Sequence, residues 1–359
     1  MKLPCITMLA TLLLTVPAAA QLQITPPATV PSAAPEKQKQ PKPPAPAKKK
    51  EAAPKPSASP KPAPSSKPTP TPTVIPAPPT DNSNADLVYG AYQRGQYKTA
   101  FELATARAQA GDPKAMTMLG ELYSNAMGIR RDYAKAAEWY KRAADAGDRE
   151  AMFALAMLRI SGRGGAVDKG EAVKLMASAA KLGEPKAAYN LALLYLDGQT
   201  LPQDVKRSAE LLRQAADAGL AEAQYALATF YKEGTGVPKD PERAVRLLQA
   251  ASLADNVDAE VEYAIAMFNG TGTPKNQPAA VALLRKASRQ GSAIAQNRLA
   301  WVLINGVGTT MDKVEGFKWH LVAKTAGKGD PELDKQLSDL PAEDRAKVEA
   351  AAKKWLGNK

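Results

Sequence analysis

The sequence predicts an all-α protein, a solenoid of about six stacked helix pairs of 36 residues each. Three observations predict it. Arg142–Met157 (RAADAGDREAMFALAM) and Gln214–Thr229 (QAADAGLAEAQYALAT) are nearly the same sixteen residues, 72 positions apart. Gly111, Gly147, Gly183, Gly219, Asp255, Gly291 and Gly327 follow one another at 36-residue intervals without slippage. Two alanine columns keep the same period: Ala115, Ala151, Ala187, Ala223, Ala259, Ala295, and Ala143, Ala179, Ala215, Ala251, Ala287, Ala323.

The elements come in order along the 359 residues. Residues 1–20 read as a secretory signal peptide: Lys2 is a positive start, Ile6–Val16 a short apolar core, and Ala18-Ala19-Ala20 an A-x-A motif, which places cleavage before Gln21. The alternative is an uncleaved anchor, but this apolar run falls short of the ~20 residues that span a bilayer. Cys5, the single cysteine, lies inside the signal, so the mature chain has neither a thiol nucleophile nor a thiolate metal site. Export to the periplasm of a Gram-negative bacterium is the expected destination.

Residues 21–84 hold 19 of the 30 prolines, with Ala, Lys, Ser and Thr making up most of the rest. Too few large apolar residues occur there to offset the entropy of ordering, so the segment reads as a disordered tether favouring extended polyproline-II conformations. Its nine lysines against three acids account for half of the formal charge of +12. Such a spacer can lie along peptidoglycan or another anionic envelope surface, or serve only as an inert linker. The remainder is mildly basic, without the basic, aromatic-studded face that nucleic-acid binding requires.

Residues 85–330 are the predicted solenoid, opened by a degenerate pair (Ala85–Gly111), and 331–359 a C-terminal capping helix. In each unit a first helix has apolar residues at i, i+4 and i+8, as in Ala187, Leu191 and Tyr195. A glycine-rich loop follows, for example EGTGVPK or NGTGTPK. The second helix opens on Asp132, Asp168, Asp204, Asp240, Asn276 or Asp312, N-caps by residue type, with Glu171 and Glu315 placed to complete capping boxes. It closes on the 36-residue glycine, suited to a left-handed C-cap, and Asp255 is among the few residue types that replace glycine there. The column Gly120, Ala156, Ala192, Ala228, Ala264, Ala300 lets neighbouring helices approach closely. No unit can bury its apolar face alone, so the packing problem repeats and the sequence repeats with it.

With these columns in view, the chain resembles the Sel-1-like repeat family. Glu138–Gly147 (EWYKRAADAG) and Glu222–Asp240 (EAQYALATFYKEGTGVPKD) carry the likeness, and six units run from about Pro113 to Gly327. The resemblance implies a right-handed, tetratricopeptide-like α/α superhelix whose first helices line a concave surface, and an adaptor or regulator rather than an enzyme. Some cysteine-rich secreted members of that family bind β-lactam-like compounds, and this chain lacks their cysteines.

Other motifs are weaker. EGTG and NGTG follow helices rather than strands and lack the G-K-[ST] end of a phosphate loop. Ser178-Ala179-Ala180-Lys181 fits S-x-x-K, but no K-T-G follows at a useful place. His320, the single histidine, falls in a column otherwise held by Tyr140, Met176 and leucines, and reads as a packed side chain. With one histidine and no cysteine in the mature chain, a Ser-His or Cys-His apparatus has almost nothing to be built from, and no cofactor or metal site is expected.

The remaining candidate is a strip on the first helices. One column reads Met118, Ala154, Asn190, Ala226, Glu262, Arg298, and another, three places on, Glu121, Met157, Leu193, Thr229, Ile265, Trp301. Its partner-binding residues are Asn190, Glu262, Arg298, Glu121, Thr229 and Trp301. Asn190 would hydrogen-bond an extended peptide and Trp301 would anchor it. Packing between repeats is the competing account of the apolar column. The expected function is an exported protein-binding scaffold. A cell-wall or β-lactam hydrolase and a structural envelope tether are the alternatives.

Overall fold

The computed structural model describes residues 83–357. The signal segment and residues 21–82 lie outside the described residues. The described chain forms sixteen α-helices and contains no strand. An opening pair, α1 (Ser83–Gln93) and α2 (Tyr97–Gln109), precedes six repeats. Their first helices are α3 (Pro113–Asn125), α5 (Arg149–Ser161), α7 (Pro185–Asp197), α9 (Ala221–Glu233), α11 (Val257–Asn269) and α13 (Ala293–Asn305). Their second helices are α4 (Tyr133–Asp145), α6 (Lys169–Lys181), α8 (Val205–Asp217), α10 (Pro241–Leu253), α12 (Gln277–Arg289) and α14 (Lys313–Thr325). From α3 to α13 each packs mainly on the helix before it and the helix after it. That is the contact logic of a solenoid.

The N-cap residues of the second helices do two jobs. Their side chains accept from the amide three residues on, as in Asp168 Oδ1 with Glu171 N at 2.8 Å and Asp240 Oδ1 with Arg243 N at 2.9 Å. Their own N–H groups donate back to the first helix: Asp132 to the Tyr123 carbonyl, Asp168 to Arg159, Asp240 to Tyr231, Asp312 to Leu303. This second bond corrects the expected capping boxes. With the cap amide already satisfied, Glu171 turns to Arg159 Nε (2.7 Å) and Glu315 accepts from Trp319 Nε1 (2.8 Å). The loop is thereby fastened to the helix it leaves.

The second helices end as expected. Gly147 has φ 89°, its N–H donates to the Ala144 carbonyl, and Asp148 N–H donates to Ala143. Asp255 does take the left-handed place of glycine, at φ 60°. The first helices hold a surprise: Ala126 sits at φ 57°, where the other repeats have Gly162, Gly198, Gly234, Gly270 and Gly306.

The alanine columns are buried, along with Leu119, Leu155, Leu191, Leu227 and Leu299. At Gly120 the reason for a small residue is direct, because an added Cβ would lie 2.5 Å from the Tyr140 ring. The C-terminal cap is two helices, α15 (Pro331–Ser338) and α16 (Ala342–Gly357), divided before Pro341. α16 lies on α14, with Val348 buried and Trp355 edge-to-face on Trp319 at 4.9 Å between centroids. His320 is indeed a packed residue, fully buried, with Nε2 2.8 Å from Asp334 Oδ1. No helix among the described residues is long and apolar enough to cross a membrane.

Candidate functional site

The first helices build one continuous strip because the same helical positions recur every 36 residues. All six sequence-predicted residues lie on it, half-buried, and so do their column partners. The strip spreads them over five of the repeats and does not gather them at one point.

Their polar groups are largely engaged within the solenoid. Tyr92 Oη on α1 donates to Glu121 Oε1 at 2.7 Å, and Lys232 on α9 pairs with Glu262 on α11 at 3.0 Å. Both contacts run from one first helix to the next. Burial, followed by the bond to Glu121, raises the Tyr92 phenol well above its ordinary range. Asn190 Nδ2 donates to the Lys186 carbonyl one turn earlier (2.8 Å), and the Thr229 hydroxyl to Tyr225 (3.3 Å). Arg298 makes no hydrogen bond or ion pair among the described residues. Trp301 packs partly into the C-terminal core and leaves the rest of its ring accessible.

The column beside Asn190 was not singled out by sequence. It runs Phe153, Tyr189, Tyr225 on three successive first helices, each half-buried. Burial, then Glu262, Asp258 and Glu233, push the Tyr225 phenol up to about 12. Tyr189 is raised by burial and by Glu222. Carboxylates therefore stand within electrostatic reach of two partly exposed aromatic rings. The signal was available in the 36-residue register, but the three residues read equally as packing. Such an arrangement suits a segment offering apolar and cationic groups, which aromatic faces and carboxylates both favour.

Ser178 and Lys181 are exposed on α6, whereas His320 is buried on α14, in another repeat. The geometry brings no nucleophile and base together from these three.

The model of the Sel1 repeat matches six consecutive segments, 113–148, 149–184, 185–220, 221–256, 257–292 and 293–328. A Sel1 repeat protein from Oxalobacter formigenes has a similar structure: 27% identity, TM-score 0.60, covering 67% of this chain and 98% of that one. So has c5321, a protective antigen present in uropathogenic Escherichia coli strains and displaying the SLR fold, at 23% identity and TM-score 0.52, covering 77% of this chain and 68% of that one. The second likeness speaks for fold alone. No curated relative matches the chain.

Proposed function

The chain belongs to the Sel1 repeat family, and from that premise we propose that it is an exported interaction module holding an extended segment of a partner protein on its first-helix strip. Sel1 repeats generally mediate protein–protein interaction, and this reading adds a place and a chemistry. The observation that carries it is the run Phe153, Tyr189, Tyr225, with Glu222 beside Tyr189 and with Asp258, Glu233 and the Lys232-paired Glu262 beside Tyr225. Rings spaced one repeat apart can take alternate side chains of an extended peptide, and the carboxylates favour a basic one. Trp301 and Arg298 extend the same strip toward the C-terminus. Lys2, Ile6–Val16 and the Ala18–Ala20 motif support export, with the proline-rich segment as the tether of the mature protein.

The test is crosslinking and pull-down of the tagged protein from its own envelope fraction, with the mature N-terminus sequenced in the same preparation. Export predicts a chain beginning at or within a residue or two of Gln21. A partner on the strip must be lost in a Tyr189→Ala, Tyr225→Ala double variant that remains folded. Full retention by that variant would overturn the strip as the binding face.

A further inference from the structure

The other side of the repeats carries a different charge. The six second helices hold seventeen Lys and Arg against seven Asp and Glu, while the six first helices hold six against eight. Within that basic side, one place fixes two cations on a single atom. Arg213 Nη2, from α8, donates to the hydroxyl oxygen of Tyr231 at 3.1 Å, and Arg243 Nη1, from α10, donates to the same oxygen at 3.3 Å. The two nitrogens can be no farther apart than about 6.4 Å, the sum of those bonds. Tyr231 is buried, on α9 between the two second helices, and both arginines are exposed.

We propose that Arg213 and Arg243, converging on the Tyr231 hydroxyl, form a binding site for a phosphate-type oxyanion on the second-helix side of the solenoid.

Four features carry this assignment beyond a generally basic surface. The first is an uncompensated charge: two guanidinium groups face one carboxylate, Asp240 Oδ2, which lies 3.0 Å from Arg243 Nε, and a neutral phenol. Arg213 has no acidic partner among the described residues. The second is geometry, because two planar forks approaching one point from separate helices present N–H groups to several oxygens of a tetrahedral anion. The third is that the place already favours negative charge on oxygen. Burial alone would raise the Tyr231 phenol, yet the bonds from Arg243 and Arg213 outweigh it and hold the group below its ordinary value. The fourth is that the repeat does not require it. The equivalent positions are Tyr195, Ala177 and Arg207 one unit earlier, and Met267, Gln249 and Ala279 one unit later. Packing is satisfied there without a pair of arginines.

A phosphate monoester in solution and the headgroup of an anionic phospholipid share this chemistry, and two probes separate them. Calorimetric titration of the purified protein with inorganic phosphate reads the site itself. Sedimentation with phosphatidylglycerol vesicles, against phosphatidylcholine vesicles, reads the lipid source. Arg213→Gln and Arg243→Gln should each weaken phosphate binding about tenfold or more, the loss of one charge-assisted pair. Arg213→Lys should recover part of it, since charge returns without the fork. Arg246→Gln, one turn further along α10, removes the same charge beside the site and should cost little. Vesicle binding lost in the same two glutamine variants identifies the headgroup. Phosphate binding without vesicle binding identifies a soluble phosphate ester. No binding of either probe, or equal losses in Arg246→Gln and Arg213→Gln, would overturn the site.

Discussion

Lys286 Nζ on α12 lies 2.8 Å from Oε2 of Glu260 on α11, whose side chain is completely buried. Asp255 lies 3.4 Å from the same ammonium. Neither carboxylate oxygen of Glu260 has an aligned hydrogen-bond donor, so charge rather than directed bonding holds the pair. The position is built for a hydrogen-bond donor. Gln224 and Gln296 occupy it in the neighbouring repeats, and their Nε2 groups donate to the Ala216 and Ser288 carbonyls of the preceding second helix. Glu260 has no donor to offer the equivalent carbonyl, that of Ser252.

Removing the lysine should therefore cost more than removing the acid. Lys286→Met leaves a buried carboxylate without its counter-charge and should destabilise by about 2–3 kcal/mol, below the full penalty for a buried pair because Lys286 is half-exposed. Glu260→Gln restores the hydrogen bond of the two neighbouring repeats and should be at least as stable as the parent. In that background Lys286→Met should cost under ~1 kcal/mol. Urea unfolding of the four proteins measures the coupling, and additive losses would refute it.

Ala126 is the second departure from the repeat. A left-handed alanine costs about 1–2 kcal/mol, and glycine returns part of that as extra freedom in the unfolded chain. Ala126→Gly should stabilise by roughly 0.5–1 kcal/mol. The reverse change, Gly162→Ala, should destabilise, since its Cβ would also meet Val167 Cγ2 at 2.8 Å. Thermal melts of both variants check the two signs.

The helix pairs were legible because capping and packing repeat with the chain. Asp132 through Asp312 cap as their residue type dictates, and Asp255 enters the left-handed region that its column requires. The capping boxes at Glu171 and Glu315 were misread, because the competing acceptors for the cap amides sit on another helix and leave no local pattern. The arginine pair at Tyr231 was invisible for the same reason. Arg213 and Arg243 are thirty residues apart and share no motif; a bend of the chain brings both to one oxygen. The first-helix columns of Asn190 and Trp301 follow from the 36-residue period, whereas Tyr189 and Tyr225 carry no signal that separates a half-exposed ring from a packed one.

Overpacking should be felt locally and tether loss hardly at all. Ala215 is fully buried in the small column of α8, so Ala215→Trp should destabilise by several kcal/mol, beyond the ~1–3 usual for modest added bulk. The composition of residues 21–82 predicts a disordered tether, so deleting them should leave the melting transition of the solenoid in place. Scanning calorimetry on the two variants tests both, and a transition lost with the tether would show that the segment contributes to the fold.

The last prediction concerns alkaline pH. Folding raises Tyr225 to about 12 through burial and its acidic neighbours, and Tyr189 in the same direction, while an unfolded tyrosine ionises near ~10. A raised folded value means that the folded state holds its proton longer than the unfolded chain. The stability this represents is complete below about pH 10 and is lost as the pH climbs toward the folded value. Lys286, raised by its contact with Glu260, has the same sign and a similar window. Tyr231 opposes both, since its lowered value favours the folded state as the phenol ionises. Tyr92 and Tyr140, and Lys114 and Lys347, are raised as well, so the raised groups outnumber Tyr231 and urea midpoints should fall between about pH 10 and 12. Tyr225→Phe removes one titrating group and should flatten that fall, whereas Tyr231→Phe should steepen it. Midpoints that respond equally to the two substitutions would show that the strip and the arginine site do not differ in the way their charges require.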